Sequence, residues 1–403
     1  MAATTEKKTV VIIGAGLSGL QAAVKLIQSG SFQVKLLEAT DQAGGRVNTS
    51  WKFGSFPIEL GANWIHGNHG NPVYELAKKH KLLHDGGKNV LNRFGEWFDD
   101  EDENYFYTEN GMKINYKLAK KAVDIYHKIV DKCDNTGQKL DDGSRANVGD
   151  MIDNEGIKEI EKLKLTEKER RQMLGLLEWA KKLECVDNAC QSTYDLSLRW
   201  FGEYVALPGD YYTEMGQGGY QALVDLLLSK IPVECLQYNK PVKSVDWCGA
   251  KSERSEVKDD RHAIGVECTD GEKVTADHVI VTTSLGFLKE NSETFFNPVL
   301  PEEKLEAISK VGYGNIGKIF LRFKNRFWNK HLDGIQFIWD SCDAASSKET
   351  QSKTSHEEWM KSNWFRNICG FERVLYHKTT LVGWIYGKEA EYMESLDDEE
   401  IKN

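Results

Sequence analysis

The sequence predicts an α/β protein of at least two domains. Three observations carry that prediction: an N-terminal strand–helix–strand pattern punctuated by glycines, a central stretch of helical periodicity with little β signal, and a series of apolar β-like runs after about residue 230. The length points the same way, since 403 residues exceed the roughly 100 to 200 of an ordinary single domain.

The first element is read from "TVVIIGAGLSGLQAAVKLIQSGSFQVKLLEA". Thr9 to Ile13 is β-branched and predicts a strand, Leu17 to Gln28 has helical spacing, and Val34 to Glu38 predicts a second strand. Gly14, Gly16 and Gly19 fall in the turn between strand and helix as G-x-G-x-x-G. In that arrangement the first glycine turns the chain, the second lets backbone approach a pyrophosphate, and the third lets helix pack on strand. Glu38 closes the second strand, where a carboxylate can accept hydrogen bonds from both hydroxyls of an adenosine ribose and disfavours a 2′-phosphate. A dinucleotide site follows, and the fingerprint leaves NAD and FAD both open.

Next comes "DQAGGRVNT", in which Gly44, Gly45 and Arg46 follow the acid after a short spacer. "ELGANWIHG" at 59–67 is too rich in glycine for a helix and too polar for a plain core strand. Its His66 titrates nearest neutral pH, which suits proton exchange, although a structural histidine reads the same way. The segment from about 86 to 229 is helical in "KLAKKAVDIYHKIVDKC" and "TEKERRQMLGLLEWAKKLE". "KPVKSVDW" and "HAIGVECTDGEKVTADHVIVTT" are β-rich runs separated by the charged "KSERSEVKDDR", which predicts a solvated loop. After residue 300, "KIFLRF", "IQFIW" and "TLVGWIYG" predict a further sheet, and the polar "CDAASSKETQSKTSHEEWMKSN" between them predicts a loop. Lys318 stands at the start of the first of these strands, where burial would favour its neutral form.

Composition narrows the function. With 52 basic and 62 acidic residues the net charge is −10, which argues against nucleic acid as the main partner and is compatible with a cationic ligand. No apolar run reaches the roughly 18 residues of a membrane span, and MAATTEKKTV lacks the order of a secretory signal, so a soluble, cytoplasmic protein is expected. The eight cysteines contain no C-x-x-C pair and no zinc spacing, which predicts reduced thiols and no metal.

Taken together, the N-terminal fingerprint, "DQAGGRVNT", "ELGANWIHGNHGNPVYELAKKHKLL", "FGEYVALPG", "GGYQALVDLLLSKIP", "YGNIGKIFLRFKNRFW" and "TLVGWIYGKEAEYMESLDDEEI" resemble the flavin-dependent amine oxidase family. The likeness is to its polyamine oxidase branch, of the animal spermine oxidase and acetylpolyamine oxidase type, and it covers most of the chain from residue 9 to 403. The resemblance implies FAD as the cofactor and a Rossmann-like FAD-binding domain (1–85 and 230–300) interrupted by an α+β substrate domain (86–229 and 301–403). Cofactor-binding roles then fall on Gly14, Gly16, Gly19, Glu38, Gly45, Arg46, Gly61, Ala62, Asn63, Trp64 and Val242. Lys318, through a water, and His66 would be catalytic; His66 and Glu184 would bind substrate, with Glu203 and Tyr204 as weaker candidates. A solvated helix end remains the alternative for Glu184.

The implied reaction moves a hydride equivalent from the carbon beside a polyamine nitrogen to flavin N5. The resulting imine is hydrolysed to an aldehyde and an amine, and O2 is reduced to H2O2. Relatives continue into a C-terminal G-E-x-T-like segment that completes the FAD cradle. No G-E-[AG]-T occurs before Asn403, so that part of the cradle, and any peroxisomal tripeptide, is expected outside this sequence. Two alternatives stay open: a catalytically silent nucleotide- or polyamine-binding relative, and an oxidase of the monoamine or histone-lysine demethylase type. Oligomeric state is not legible.

Overall fold

The structure is a computed structural model that describes residues 7–84, 104–247, 264–329, 334–339 and 353–402. The predicted loop "KSERSEVKDDR" and the cysteines Cys248 and Cys342 lie outside the described residues. The chain divides into two compact units: 1–64, 72–85 and 214–311 form the first, and 65–71, 86–213 and 312–403 the second. Among the described residues no helix is long and apolar enough to cross a membrane, and no group of side chains could hold a metal ion.

The first unit is built on β1 (Lys8–Ile13), α1 (Leu17–Ser29) and β2 (Phe32–Leu37). β1 runs parallel to β2 on one side and to the strand His278–Val281 on the other, and β2 also pairs with Leu236–Gln237. A parallel strand flanked on both edges must be apolar throughout, and Val10, Val11, Ile12 and Ile13 are all buried. α1 presents Gly19, Leu20, Ala23 and Val24 to the interior and ends at Gly30, whose left-handed φ of 70° lets its N–H close on the Ile27 carbonyl. A second sheet orders Lys273–Ala276, Ile264–Cys268, Val242–Asp246 and Phe296–Asn297.

The boundaries at 213/214 and 311/312 differ from the expected 229/230 and 300/301. Residues 214–229 side with the first unit because Tyr220 N–H donates to Glu59 and Gln221 N–H to Thr49, at 2.8 and 3.1 Å.

The second unit combines a five-stranded sheet with long helices. The helix Tyr116–Gly137 is capped by Asn115, and Glu167–Asn188 opens on a reciprocal Thr166/Glu169 capping box. Their apolar faces, including Ile125, Ile129, Met173, Leu176 and Leu183, form one core. The sheet order is Ile316–Arg322, His377–Tyr386, Gly370–Val374, Gly334–Ile338 and Asn104–Thr108.

Two features depart from the sequence reading. Asn104–Thr108 is a strand inside the segment read as helical with little β signal, held by parallel pairing with Gly334–Ile338. Residues 353–363, read as loop, form a helix, and Met360 packs on the core of Ile319, Ile385 and Met393. A single apolar face suffices to fold a polar helix onto a core.

Candidate active site

The carboxyl ends of β1, β2 and His278–Val281 converge on a cavity of about 450 Å³ in the first unit, where parallel α/β sheets bind ligands. Gly14, Gly16, Glu38, Gly45, Arg46 and Val242 all line it. The three fingerprint glycines do three different things. Gly14 has φ +100°, a conformation L side chains rarely adopt, and a Cβ on it would stand 2.9 Å from Thr282 Oγ1. Gly19 lies behind the wall, where a Cβ would fall 1.9 Å from the Gly14 carbonyl oxygen, so its lack of a side chain is what lets α1 approach β1. Gly16 is the opposite case: the nearest atom to an added Cβ is 3.9 Å away, so the space beside it is open on the cavity side.

Gly16 is also the N-cap of α1, with no side chain capping the helix and no acid in its first turn. The cap N–H groups and the positive end of the helix dipole therefore face a site suited to an anion. Glu38 is nearly buried and accepts from Ala15 N–H at 2.7 Å and from Thr40 N–H and Oγ1 at 2.9 Å. A carboxylate offers about four acceptor positions, so capacity remains for one hydroxyl donor.

Gly44 donates to the Ala15 carbonyl at 2.9 Å, which brings Gly45 and Arg46 against the fingerprint turn. Gly61 and Ala62 are not on the cavity wall. They are tied to the segment that is: Gly61 N–H donates to the Asn48 carbonyl and Ala62 N–H to that of Arg46, and a Cβ on Gly61 would meet the Arg46 carbonyl at 2.0 Å. Asn63 and Trp64, both half-buried, follow in the same loop and do not line the cavity.

The sequence reading missed Thr282, Thr283 and Ser284, which also line it. Their signal was the hydroxyl triplet at the end of "HVIVTTS", the carboxyl end of the third parallel strand. Thr283 Oγ1 is buried and has no hydrogen-bond partner among the described residues, so its hydroxyl is available to a ligand in the cavity. The open side of Gly16, the acceptor capacity of Glu38 and this hydroxyl fit a dinucleotide.

The remaining predicted residues belong to the second unit. His66 is exposed, and its Nδ1 lies 2.8 Å from the Tyr211 carbonyl oxygen. A carbonyl can only accept, so Nδ1 carries the proton and the lone pair of the neutral ring lies on Nε2. Tyr211 lies tilted by 40° against the imidazole with centroids 4.3 Å apart, and Tyr212 meets it edge-on at 5.7 Å. Gly67 fixes this loop: its φ is +70° and a Cβ there would be 2.3 Å from the Leu207 carbonyl. The Tyr211 hydroxyl is held neutral, foremost by burial, then by its hydrogen bond with Tyr204 and by the charges of Asp187 and Glu184. His66, Tyr211, Tyr204 and Glu184 therefore share one electrostatic neighbourhood. Lys318 is half-buried and opposite Trp384 in the strand register, with Nζ 4.5 Å from that ring's centroid.

Glu184 is not a solvated helix end. It is buried between the two long helices and accepts hydrogen bonds from the Tyr126 hydroxyl and, at 2.8 Å, from Asn188 Nδ2. Burial raises its pKa above the ordinary carboxylate value, and the two hydrogen bonds oppose that rise. Because the folded pKa is raised, the folded state binds the extra proton. The charge therefore costs nothing at low pH and destabilises increasingly as pH rises from the unfolded value through the folded one. Tyr126→Phe removes the opposing donor, so it should cost about 1–3 kcal/mol at neutral pH and less in mild acid. Denaturant midpoints at the two pH values check this; equal losses at both would contradict it.

Residues 17–403 match the family described as flavin containing amine oxidoreductase. Two similar proteins are the "Peroxisomal N(1)-acetyl-spermine/spermidine oxidase" of Bos taurus, 32% identical over 400 residues, and that of Homo sapiens, 33% identical over 402. Each comparison covers 97% of this chain and 75% of the relative. The "Probable polyamine oxidase 5" of Arabidopsis thaliana is 29% identical over 437 residues, covering 99% of this chain and 75% of that protein. The chain belongs to the flavin-containing amine oxidoreductase family, on the branch whose curated members are named as polyamine oxidases.

Proposed function

We propose that the protein is an FAD-dependent polyamine oxidase acting on spermine or acetylated polyamines, with O2 as electron acceptor. The observation that carries the dinucleotide half of this reading is the cavity in which Gly16 leaves room, Glu38 keeps acceptor capacity and Thr283 Oγ1 has no partner among the described residues. A bound flavin would supply two-electron oxidation of the carbon beside the substrate nitrogen and reduction of O2 to H2O2. The N–H groups at the start of α1 would hold the pyrophosphate, and Glu38 would accept from an adenosine ribose hydroxyl. Val242 and the Gly44–Arg46 turn supply further wall.

In the second unit, His66 Nε2 accepts a hydrogen bond or proton from the substrate amine, with Tyr211 fixing the tautomer. The acidic field of Glu184 and Asp187 and the aromatic faces of Tyr211 and Tyr204 favour alkylammonium groups. Lys318 Nζ, over the Trp384 ring, exchanges a proton through water.

The dinucleotide assignment is tested by titrating the apoprotein with FAD and with FMN, following quenching of flavin fluorescence. Glu38→Gln is expected to weaken FAD about 10- to 100-fold, the equivalent of one charged hydrogen bond, and to leave the weaker FMN binding unchanged. Equal loss for both flavins would remove Glu38 from ribose recognition.

A further inference from the structure

The helix Glu167–Asn188 ends in a way that brings two sulfurs together. Ala189 takes a left-handed conformation (φ 49°, ψ 44°) and its N–H reaches the carbonyls of Cys185 and Val186. Cys190 N–H then donates back to the Cys185 carbonyl at 3.1 Å. That six-to-one hydrogen bond defines a Schellman motif, in which the residue after the left-handed one folds its side chain onto the residue four places before the left-handed one. In most such motifs the contact joins two aliphatic groups; here both positions are cysteine. Interaction with the neighbouring Cys190 thiol, with burial second, holds the proton on Cys185. Cys185 is buried and Cys190 is half-buried, so Cys190 offers the more accessible sulfur.

We infer that Cys185 and Cys190 form an oxidative modification site, a dithiol that a hydroperoxide converts to an intrahelical-cap disulfide. Cys190 Sγ attacks one peroxide oxygen: the O–O bond breaks, an S–O bond forms, sulfur is oxidised by two electrons, and one water leaves. Cys185 Sγ then attacks Cys190 Sγ. The S–S bond forms, the S–O bond breaks, and hydroxide departs as a second water with the Cys185 thiol proton, so two thiols and one hydroperoxide give one disulfide and two waters when the peroxide is H2O2.

The site is joined to residues of the proposed chemistry. Glu184 immediately precedes Cys185. Gly314, two residues before the strand that carries Lys318, is pressed onto the cap so closely that a Cβ there would stand 1.9 Å from the Ala189 carbonyl. Gln191, next after Cys190, binds the Lys388 N–H and the Glu389 carboxylate at 2.8 and 2.9 Å. A cross-link at the cap would restrain all three. The proposed oxidase reaction supplies the peroxide, and the inference rests on that reading only for the oxidant's source.

The test is to treat the purified full chain with added H2O2, alkylate the remaining thiols, digest, and identify peptides by mass spectrometry. The expected result is a Cys185–Cys190 linkage carrying two hydrogens fewer than the reduced form, two alkylatable thiols lost, and recovery of both with dithiothreitol. Cys190→Ser should abolish the linkage. Alkylation of both thiols after treatment, conversion of Cys190 to sulfinic acid without a cross-link, or linkage to Cys369 instead would overturn the inference. A second arm lets amine turnover generate the peroxide, with catalase as control. A linkage with added peroxide and none during turnover supports the site and counts against the oxidase reading, so the two failures are distinguishable.

Discussion

Gly19→Ala is expected to unseat the flavin. The added methyl would fall 1.9 Å from the Gly14 carbonyl oxygen and 3.0 Å from Thr282 Oγ1. The first of these is backbone and cannot rotate away. Alanine would gain about 1 kcal/mol of helix propensity over glycine, but α1 would have to lift off the turn, and overpacking of this kind costs about 1–3 kcal/mol. Lifting α1 also moves the N–H groups proposed to bind the pyrophosphate, so cofactor loss should exceed the stability loss. Absorbance of the purified variant after FAD reconstitution reads the first effect and the denaturant midpoint the second. Gly143→Ala, whose added methyl meets nothing within 4 Å, should change neither. A Gly19→Ala protein with the wild-type flavin content would show that the turn tolerates a side chain and that the fingerprint has been read wrongly.

The second large effect is on turnover. If Lys318 exchanges a proton during catalysis, Lys318→Met removes a contribution of about 100-fold or more while keeping a side chain that packs on Trp384. The flavin spectrum and thermal midpoint should remain those of the wild type. Lys318→Arg should not rescue the rate, because a guanidinium does not lose its proton in the accessible range. A rescue by arginine would mean that charge alone, holding the strand or attracting O2, explains the residue. Equal rates for wild type and Lys318→Met would remove Lys318 from the mechanism.

The parts of the fold legible in the sequence were those in which one local rule dominates. β1, α1 and β2 could be read because β-branched runs, helical spacing and three glycines each act over a few residues, and the observed ends differ from the expected ones by a residue or two. Asn104–Thr108 was not legible, because its strand character comes from a partner more than 200 residues away in the chain, at Gly334–Ile338. The helix 353–363 was hidden for a related reason: its composition is polar, and the core against which Met360 packs is assembled from other elements.

The same distinction holds for the sites. Gly14, Gly16 and Glu38 lie on one cavity because their spacing encodes a local turn. Gly61 and Ala62 do not line it; their link to it runs through the carbonyls of Arg46 and Asn48, which no spacing rule records. Glu184 shows the limit most clearly. A glutamate near a helix end among lysines is ordinarily solvated, and only the neighbouring helix, which brings Tyr126 to it, turns it into a buried, hydrogen-bonded carboxyl. His66 gained a tautomer from the Tyr211 carbonyl, a backbone partner 145 positions away.

The central claim, that this chain binds FAD and uses it to oxidise polyamines, is tested most directly by mixing the FAD-reconstituted protein anaerobically with spermine, N1-acetylspermine, a simple monoamine or a methylated lysine peptide. The account predicts that the visible flavin band bleaches with a polyamine, stays unchanged with the monoamine and the peptide, and returns when air is admitted as peroxide appears. A flavin band that persists with both polyamines, or that bleaches only with the monoamine or the peptide, would contradict it.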